Sequence, residues 1–525
     1  MPLTRNCSTA LNIPEKTPQT HPCPNIRDTL KGRHFTIFHE FFNKNDYQKS
    51  DLENFLPLPT KEICQNIGTC KIEDVTDLVH VIQNVNQANI DAKTEKSLDK
   101  LLNGYFPQIR SNHFFKEIVP FLQKMVKMTH VYLKNGIPVL KQNQPYLVTY
   151  NQDQLCCIIA NSFFCTWPND RKLNNKLLNE INCNNILAGE DEKDFQKLAC
   201  LVNYFDRMRE RKLIGFSVGQ VTFERRISNF GKNKENSDPT IIKCPNWSKS
   251  KTILELTTQN SNNHKSRIEV VGEGMSIWDE NKAAQAIFSN SMYGANILQD
   301  GKGQQEAMFL GHPEMIAGCL FIEELQEFES ILVTGSERFN GISGYGNTMR
   351  FAGNFDDTKT GWDMGDRKCH QFIVVDSLNC KNLNFGPFEE FLEGNLQREL
   401  NKIYSSLVCP EEFIPVIGGI ENINGTNSFL PKLATGKWGC GKFGGNKQLK
   451  AILQIVACLE ANRSISFLVY EDAEFKHDLL EVLAKMNKNF EGKLTTSMVY
   501  TLLFQYGTMR PENQSLFSFL KSVKL

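Results

Sequence analysis

The chain has 525 residues, 40% of them hydrophobic, and its 59 basic residues equal its 59 acidic ones. That length accommodates two or three soluble domains, and zero formal net charge removes any bulk electrostatic case for clinging to DNA, RNA or an anionic membrane, so a polyanion has to be bound locally. No apolar run reaches the ~20 residues that span a bilayer, and the 16 cysteines and 10 histidines form neither HExxH nor zinc-finger spacing.

In chain order, residues 1–45 are polar and broken by Pro2, Pro14, Pro18 and Pro24, the composition of a mobile leader. Met1 to Lys16 lack the apolar stretch of a secretory signal, so the expected setting is intracellular and reducing, nuclear or cytoplasmic, with a cytoskeletal or other structural assembly left open. From Asp51 to Met208 the apolar spacing is helical, as in Phe115, Ile118, Phe121, Leu122, Met125 and Met128 and again in Leu155, Ile158, Ile159 and Phe163. This predicts an all-helical accessory domain over 46–211, in which Cys156 and Cys157 are buried thiols. Ile214 to Phe223 alternates, and two short apolar runs, Ser330 to Thr334 and Gln371 to Val375, read as buried strands. Helical patterns at Pro313 to Phe328 and Asn446 to Glu460, the latter leading into the run Ser464 to Tyr470, complete an α/β pattern. The expected architecture is an α/β sandwich over 212–480, followed by a helical tail over 481–525.

Three stretches carry chemistry. Leu433-Ala-Thr-Gly-Lys-Trp-Gly-Cys-Gly-Lys-Phe-Gly-Gly445 precedes an amphipathic helix. Its glycines let backbone N–H groups close around an anion and the helix start adds partial positive charge, so a phosphate or diphosphate site is expected there. Gly436 to Lys442 also satisfies GxxxxGK, but Phe443 stands where a triphosphatase needs a magnesium-holding hydroxyl, which argues against that reading. The second stretch, Phe288 to Glu306, runs from turn chemistry through a Gly-rich bend to Gln304, Gln305 and Glu306 at a helix start, where Glu306 taken alone reads as a cap. The third element is a pair of tyrosines, Tyr345 and Tyr470, the latter at the end of the last strand, where an α/β fold docks ligands.

Read together, these stretches resemble the poly(ADP-ribose) glycohydrolase family from about residue 115 to 475. The likeness rests on Gln154 to Pro168 (QLCCIIANSFFCTWP), on Arg398-Glu399-Leu400-Asn401-Lys402 and on the ATGxWGCGxFGG loop from Ala434 to Gly445. The resemblance implies an α/β macrodomain, a mixed sheet sandwiched by helices, preceded by an all-helical accessory domain; hydrolysis of ribose–ribose bonds in poly(ADP-ribose); and no cofactor. The family signature of GGG, a spacer and QEE is matched by Gly294-Ala295-Asn296, a spacer and Gln304-Gln305-Glu306. Glu306 thereby takes the role of catalytic acid, and Gln305 replaces the Glu that contacts ribose hydroxyls. Asn290 is retained from Val-Asp-Phe-Ala-Asn, whose Asp becomes Ile287; an alternative register puts Asp279 in that role. The resemblance further assigns Ile268 and Glu269 to the adenine, Tyr345 to a ring closing over the ligand, Tyr470 to a ring against the adenine, and Gly441, Phe443 and Gly444 to the diphosphate loop. Gly294 and Gln304 complete the expected ligand contacts.

Two readings of function stand side by side. In one, the chain is a glycohydrolase slowed by its altered signature; in the other, it is a non-catalytic relative that binds ADP-ribose or serves as a scaffold. The partner expected in the first two cases is poly(ADP-ribose) or ADP-ribose, with no direct DNA, RNA or membrane binding; protein partners are not legible.

Overall fold

A computed structural model describes residues 55–86, 111–168, 172–173, 176–189, 191–215, 219–229, 241–258, 266–363, 365–408 and 432–524. The leader expected over 1–45 lies outside the described residues. Helices α1 (Lys61–Thr69), α2 (Val75–Asn86) and α3 (Val119–Lys127) open the described chain. Strand β1 (Tyr146–Asn151), helices α4 (Gln152–Phe163) and α5 (Glu192–Leu213), and strands β2 (Gln220–Ile227), β3 (Ile268–Val271) and β4 (Ala283–Ser289) follow. Next come α6 (Gln304–Gly311), β5 (Glu329–Thr334), β6 (Gln371–Asp376), α7 (Glu393–Leu407), β7 (Lys432–Thr435), α8 (Lys447–Glu460) and β8 (Ile465–Leu468). The described chain closes with α9 (Ala473–Asn489), α10 (Thr496–Met509) and α11 (Leu516–Ser522).

The eight strands form one sheet in the order β1-β2-β5-β6-β4-β7-β8-β3. Pairings from β6 through β4, β7 and β8 to β3 are parallel, whereas β1, β2, β5 and β6 pair antiparallel. Alternation along β4 explains why the sheet is covered on both faces: Ala283 and Ile287 enter one core, Ala284 and Ala286 the other. The first core also takes Leu155, Ile158 and Ile159 of α4 with Leu198, Leu201 and Phe205 of α5. The second takes Leu396, Leu400 and Ile403 of α7, Leu449, Ile452 and Leu453 of α8, and residues of α9 to α11. The mixed sheet sandwiched by helices is thus present, with the helical stretch covering one face.

Two local expectations change. The stretch expected to be all-helical contributes β1, which pairs with β2 from Tyr146↔Arg225 to Asn151↔Gln220. Asn151 then ends the strand by capping α4, its side chain accepting from the Gln154 N–H while the Gln154 side chain accepts the Asn151 N–H. The helix read over Pro313 to Phe328 is a 3-10 segment that stops at Leu320. Further along, Asn446 caps α8 by accepting from the Gln448 and Leu449 N–H groups, which ends the Gly-rich loop at a defined point. Cys156 and Cys157 are fully buried, and burial pushes the Cys157 thiol up to about 12, leaving both inert.

Candidate active site

In a parallel sheet the strand C-termini line one edge, and here that edge gathers the turn after β4, the loop after β7 and Tyr470 after β8. The β4 turn is shaped by left-handed backbone at Gly294 (φ +63) and Asn296 (φ +62). A Cβ at Gly294 would meet the Cys319 sulfur at 2.4 Å, so glycine is required by space as well as by angle. Asn296 holds the second left-handed position because asparagine tolerates it better than most residues. Ala295 between them is buried.

The turn leads into α6, whose first residues divide three tasks. Gln304 spends both ends of its carboxamide on β4 beyond its pairing with β7, accepting the Phe288 N–H at 2.9 Å and donating to the Ala286 carbonyl at 2.9 Å. Gln305 accepts from Ser289 Oγ at 2.5 Å and donates to the Ala295 carbonyl at 3.1 Å. Expected at the ligand, Gln304 and Gln305 instead bind protein groups that shape the turn. Glu306 caps the start of α6, its Oε2 accepting the Gly303 N–H at 2.7 Å and its Oε1 accepting from Gln305 Nε2 at 3.5 Å. A Cβ at Gly301 would come within 2.5 Å of Glu306 Oε1, so the loop runs against the carboxylate.

Helix α5 supplies a group that sequence reading missed. Lys197 is fully buried, and its Nζ donates to the carbonyls of Gln299 at 2.5 Å and Asn296 at 3.4 Å. Burial lowers its ammonium to about 8, with the Glu306 carboxylate acting against that fall. The helical stretch therefore braces the turn that carries the acid and places a positive charge near it. The only sequence signal was a lysine amid the apolar residues of α5, at Phe195, Leu198 and Leu201.

Tyr345 lies across from Glu306: desolvation first, and then that carboxylate, raise its phenol. Its side of the cleft is tied down by the Lys302 ammonium, which donates to Asn347. The residue is 67% exposed, so its ring is free to fold over a ligand. Tyr470 stands beyond it at φ +55, an unusual angle for a bulky residue. Desolvation, followed by Tyr345 and Asp279, pushes its phenol up to about 12. A Cβ at Gly436 would lie 3.6 Å from the Tyr470 ring and 3.7 Å from Phe288, so the Gly-rich loop starts directly against this tyrosine.

The loop itself closes by Gly445 N–H to the Gly439 carbonyl at 3.0 Å and Gly444 N–H to the Gly441 carbonyl at 3.2 Å. Gly439 (φ +74) and Gly444 (φ +73) need glycine, because a Cβ would meet Ser377 Oγ at 2.2 Å and Lys381 Cγ at 2.9 Å. Gly441 faces open space. The carbonyl of Phe443 accepts from the Lys381 N–H at 3.2 Å. Beneath the loop lies a buried, charge-balanced set. Asp376 pairs with Arg398 at 2.6 Å and with Lys402, Glu399 with Arg398 and Lys450, and Glu390 with Lys450 at 3.4 Å. Glu390 also accepts the Asn446 N–H at 2.7 Å, which connects these pairs to the loop's end.

Four sequence assignments need correction or relocation. Ile268 is fully buried in the second core at the N-terminal end of β3, opposite the cleft, so it offers no face to a ligand. Glu269 is engaged by Lys432 at 2.8 Å. The residues that do stand beside Tyr470 are Ile277, whose backbone amide faces the phenol, and Asp279. Asp279 caps its own turn by accepting from Ser276 N–H at 2.7 Å, and Ile287 is fully buried in β4. Asn290 is exposed at the strand end, its Oδ1 accepting from Ser291 Oγ at 3.2 Å.

Comparisons with known proteins point to one family. The family profile "Poly (ADP-ribose) glycohydrolase, Macro domain fold" matches residues 253–477, and "Poly (ADP-ribose) glycohydrolase, helical domain" matches 106–225. Among relatives, the probable poly(ADP-ribose) glycohydrolase 2 of Arabidopsis thaliana is 26% identical over 458 residues, covering 78% of this chain and 81% of the relative. Poly(ADP-ribose) glycohydrolase 1 of the same plant is 25% identical over 480 residues, with the same coverage. Among solved structures, the poly(ADP-ribose) glycohydrolase of Thermomonospora curvata aligns with a TM-score of 0.28 and 13% identity, over 43% of this chain and 80% of that one.

Proposed function

Because the chain belongs to the poly(ADP-ribose) glycohydrolase family, we propose that it hydrolyses the ribose–ribose O-glycosidic bonds of poly(ADP-ribose) and releases ADP-ribose. The observation that carries this reading is Glu306, a carboxylate buried at the start of α6 whose charge acts on both Lys197 and Tyr345.

In this mechanism the adenine end of the ligand lies against Tyr470, the diphosphate meets the N–H groups of Gly441, Lys442 and Phe443, and the scissile ribose reaches Glu306. Protonated Glu306 delivers its proton to the departing ribose oxygen as the C–O bond breaks. The resulting carboxylate then takes a proton from the attacking water, restoring the acid. With Gln305 neutral and occupied by Ser289 and Ala295, Glu306 is the negative charge left beside the ribosyl cation, which favours a slow enzyme.

That same occupation favours a second reading, an ADP-ribose-binding module without turnover. Purified protein incubated with poly(ADP-ribose) separates the two: release of free ADP-ribose supports hydrolysis, and binding without release supports the module. No helix of the described residues is long and apolar enough to cross a membrane.

A further inference from the structure

The glycohydrolase motif leaves two positions of its diphosphate loop open, and this chain fills both with lysine, Lys437 and Lys442. Two more lysines flank the same loop. Lys381 lays its stem across Gly444, where a Cβ would approach within 2.9–3.5 Å of its Cγ, Cδ and Cε, and its N–H holds the Phe443 carbonyl. Lys447 is the first residue of α8, so the helix start adds its partial positive charge at this rim.

Opposing charge is scarce here. Asp472, the cap of α9, pairs with Lys437 at 2.7 Å and with Lys447 at 3.1 Å. Hydrogen bonds from Lys437 and Lys447 hold its carboxyl down at about 2, and it is the one acid that any of the four lysines pairs with among the described residues. Lys381 and Lys442 are exposed and carry no acidic partner among the described residues. Above the charge-balanced buried set, four rim lysines that share one acidic partner are a local excess of positive charge.

One ADP-ribose unit presents one diphosphate, which the loop's own N–H groups satisfy. A polymer brings the next diphosphate with it. Resting on the proposed glycohydrolase function, we propose that Lys381 and Lys442 form a rim that takes the diphosphate of the neighbouring ADP-ribose unit, so that the site prefers polymer over free ADP-ribose.

The test uses the full chain carrying Glu306→Gln, so that polymer is not consumed, with and without the pair Lys381→Gln and Lys442→Gln. Affinity for poly(ADP-ribose) and for free ADP-ribose is measured across salt concentrations. The expected result is about tenfold weaker polymer binding at low salt and a log–log salt slope shallower by about 1.4, from ~0.7 for each of the two lost phosphate contacts on a single strand. Free ADP-ribose affinity stays within about twofold. Equal losses for polymer and monomer would assign the lysines to the first diphosphate and overturn the proposal, as would an unchanged slope. Single-stranded poly(A) competing as well as the polymer would also overturn it, by making the rim a general polyanion patch. If the parent binds neither polymer nor ADP-ribose, the proposed function fails first and the rim with it.

Discussion

Gln305 donates its side-chain N–H to the Ala295 carbonyl at 3.1 Å, tying the residue beside the candidate acid to the turn that the acid faces. Its carboxamide oxygen accepts from Ser289 Oγ at the same time. Both ends are therefore committed, and chemistry at this position is coupled to the shape of the turn.

Gln305→Glu alone is expected to lower stability without raising activity. The new carboxylate keeps the Ser289 proton but sets its second oxygen against the Ala295 carbonyl, replacing attraction by repulsion at a buried site, a cost of about 1–3 kcal/mol. Denaturant unfolding of the variant measures it, and a midpoint equal to that of the parent would refute the clamp.

Restoring the family's aspartate on β4 is expected to do worse. Ile287 is fully buried within the first core, among apolar side chains. Ile287→Asp should destabilise by about 3 kcal/mol or more, or shift the new group to its neutral form. A thermal unfolding midpoint within a degree of the parent's would count against this placement.

These two positions also mark what the sequence could and could not convey. The places of Glu306, Tyr470 and the loop ending at Asn446 in the fold are legible because each is fixed by local pattern: a helix start, a strand end, a glycine run before a cap. Gln304 and Gln305 were misread because a side chain's partner depends on strands that meet only in the fold. Ile268 and Glu269 were misplaced because β3 is short, and nothing local fixes which end of it faces the cleft. β1 was lost inside a helical stretch, since its six residues alternate weakly and run straight into α4. Lys197 looked like one of many helix lysines until burial distinguished it.

Lys197 predicts a pH dependence. Its ammonium is held near 8 in the folded chain by burial, against the ordinary 10.5, so the unfolded chain binds the extra proton between those values. Stability attributable to this group therefore rises from pH 8 to pH 10.5 and is lost again as pH falls back through 8. The span is roughly 3 kcal/mol at ~1.4 kcal/mol per unit. Lys197→Met should lack that rise; parallel stability curves for the two proteins over pH 8–10 would exclude it.

Tyr470→Ala should weaken ADP-ribose binding by about 1–3 kcal/mol, the usual worth of a base stacked on an aromatic ring. Calorimetry of the folded variant is the measurement. Unchanged affinity would move the adenine away from the Gly436 end of the loop.

The most direct measurement compares cleavage of poly(ADP-ribose) by the wild-type chain and by Glu306→Gln, following released ADP-ribose. Glu306→Gln retains hydrogen bonding but has no proton to deliver, so the rate should fall by about 100-fold or more while ADP-ribose affinity stays nearly constant. Equal rates from the two proteins would contradict an active site centred on Glu306. Binding without cleavage by the wild-type chain and by a variant carrying Ala295→Gly, Asn296→Gly and Gln305→Glu would replace the enzyme with the binding module.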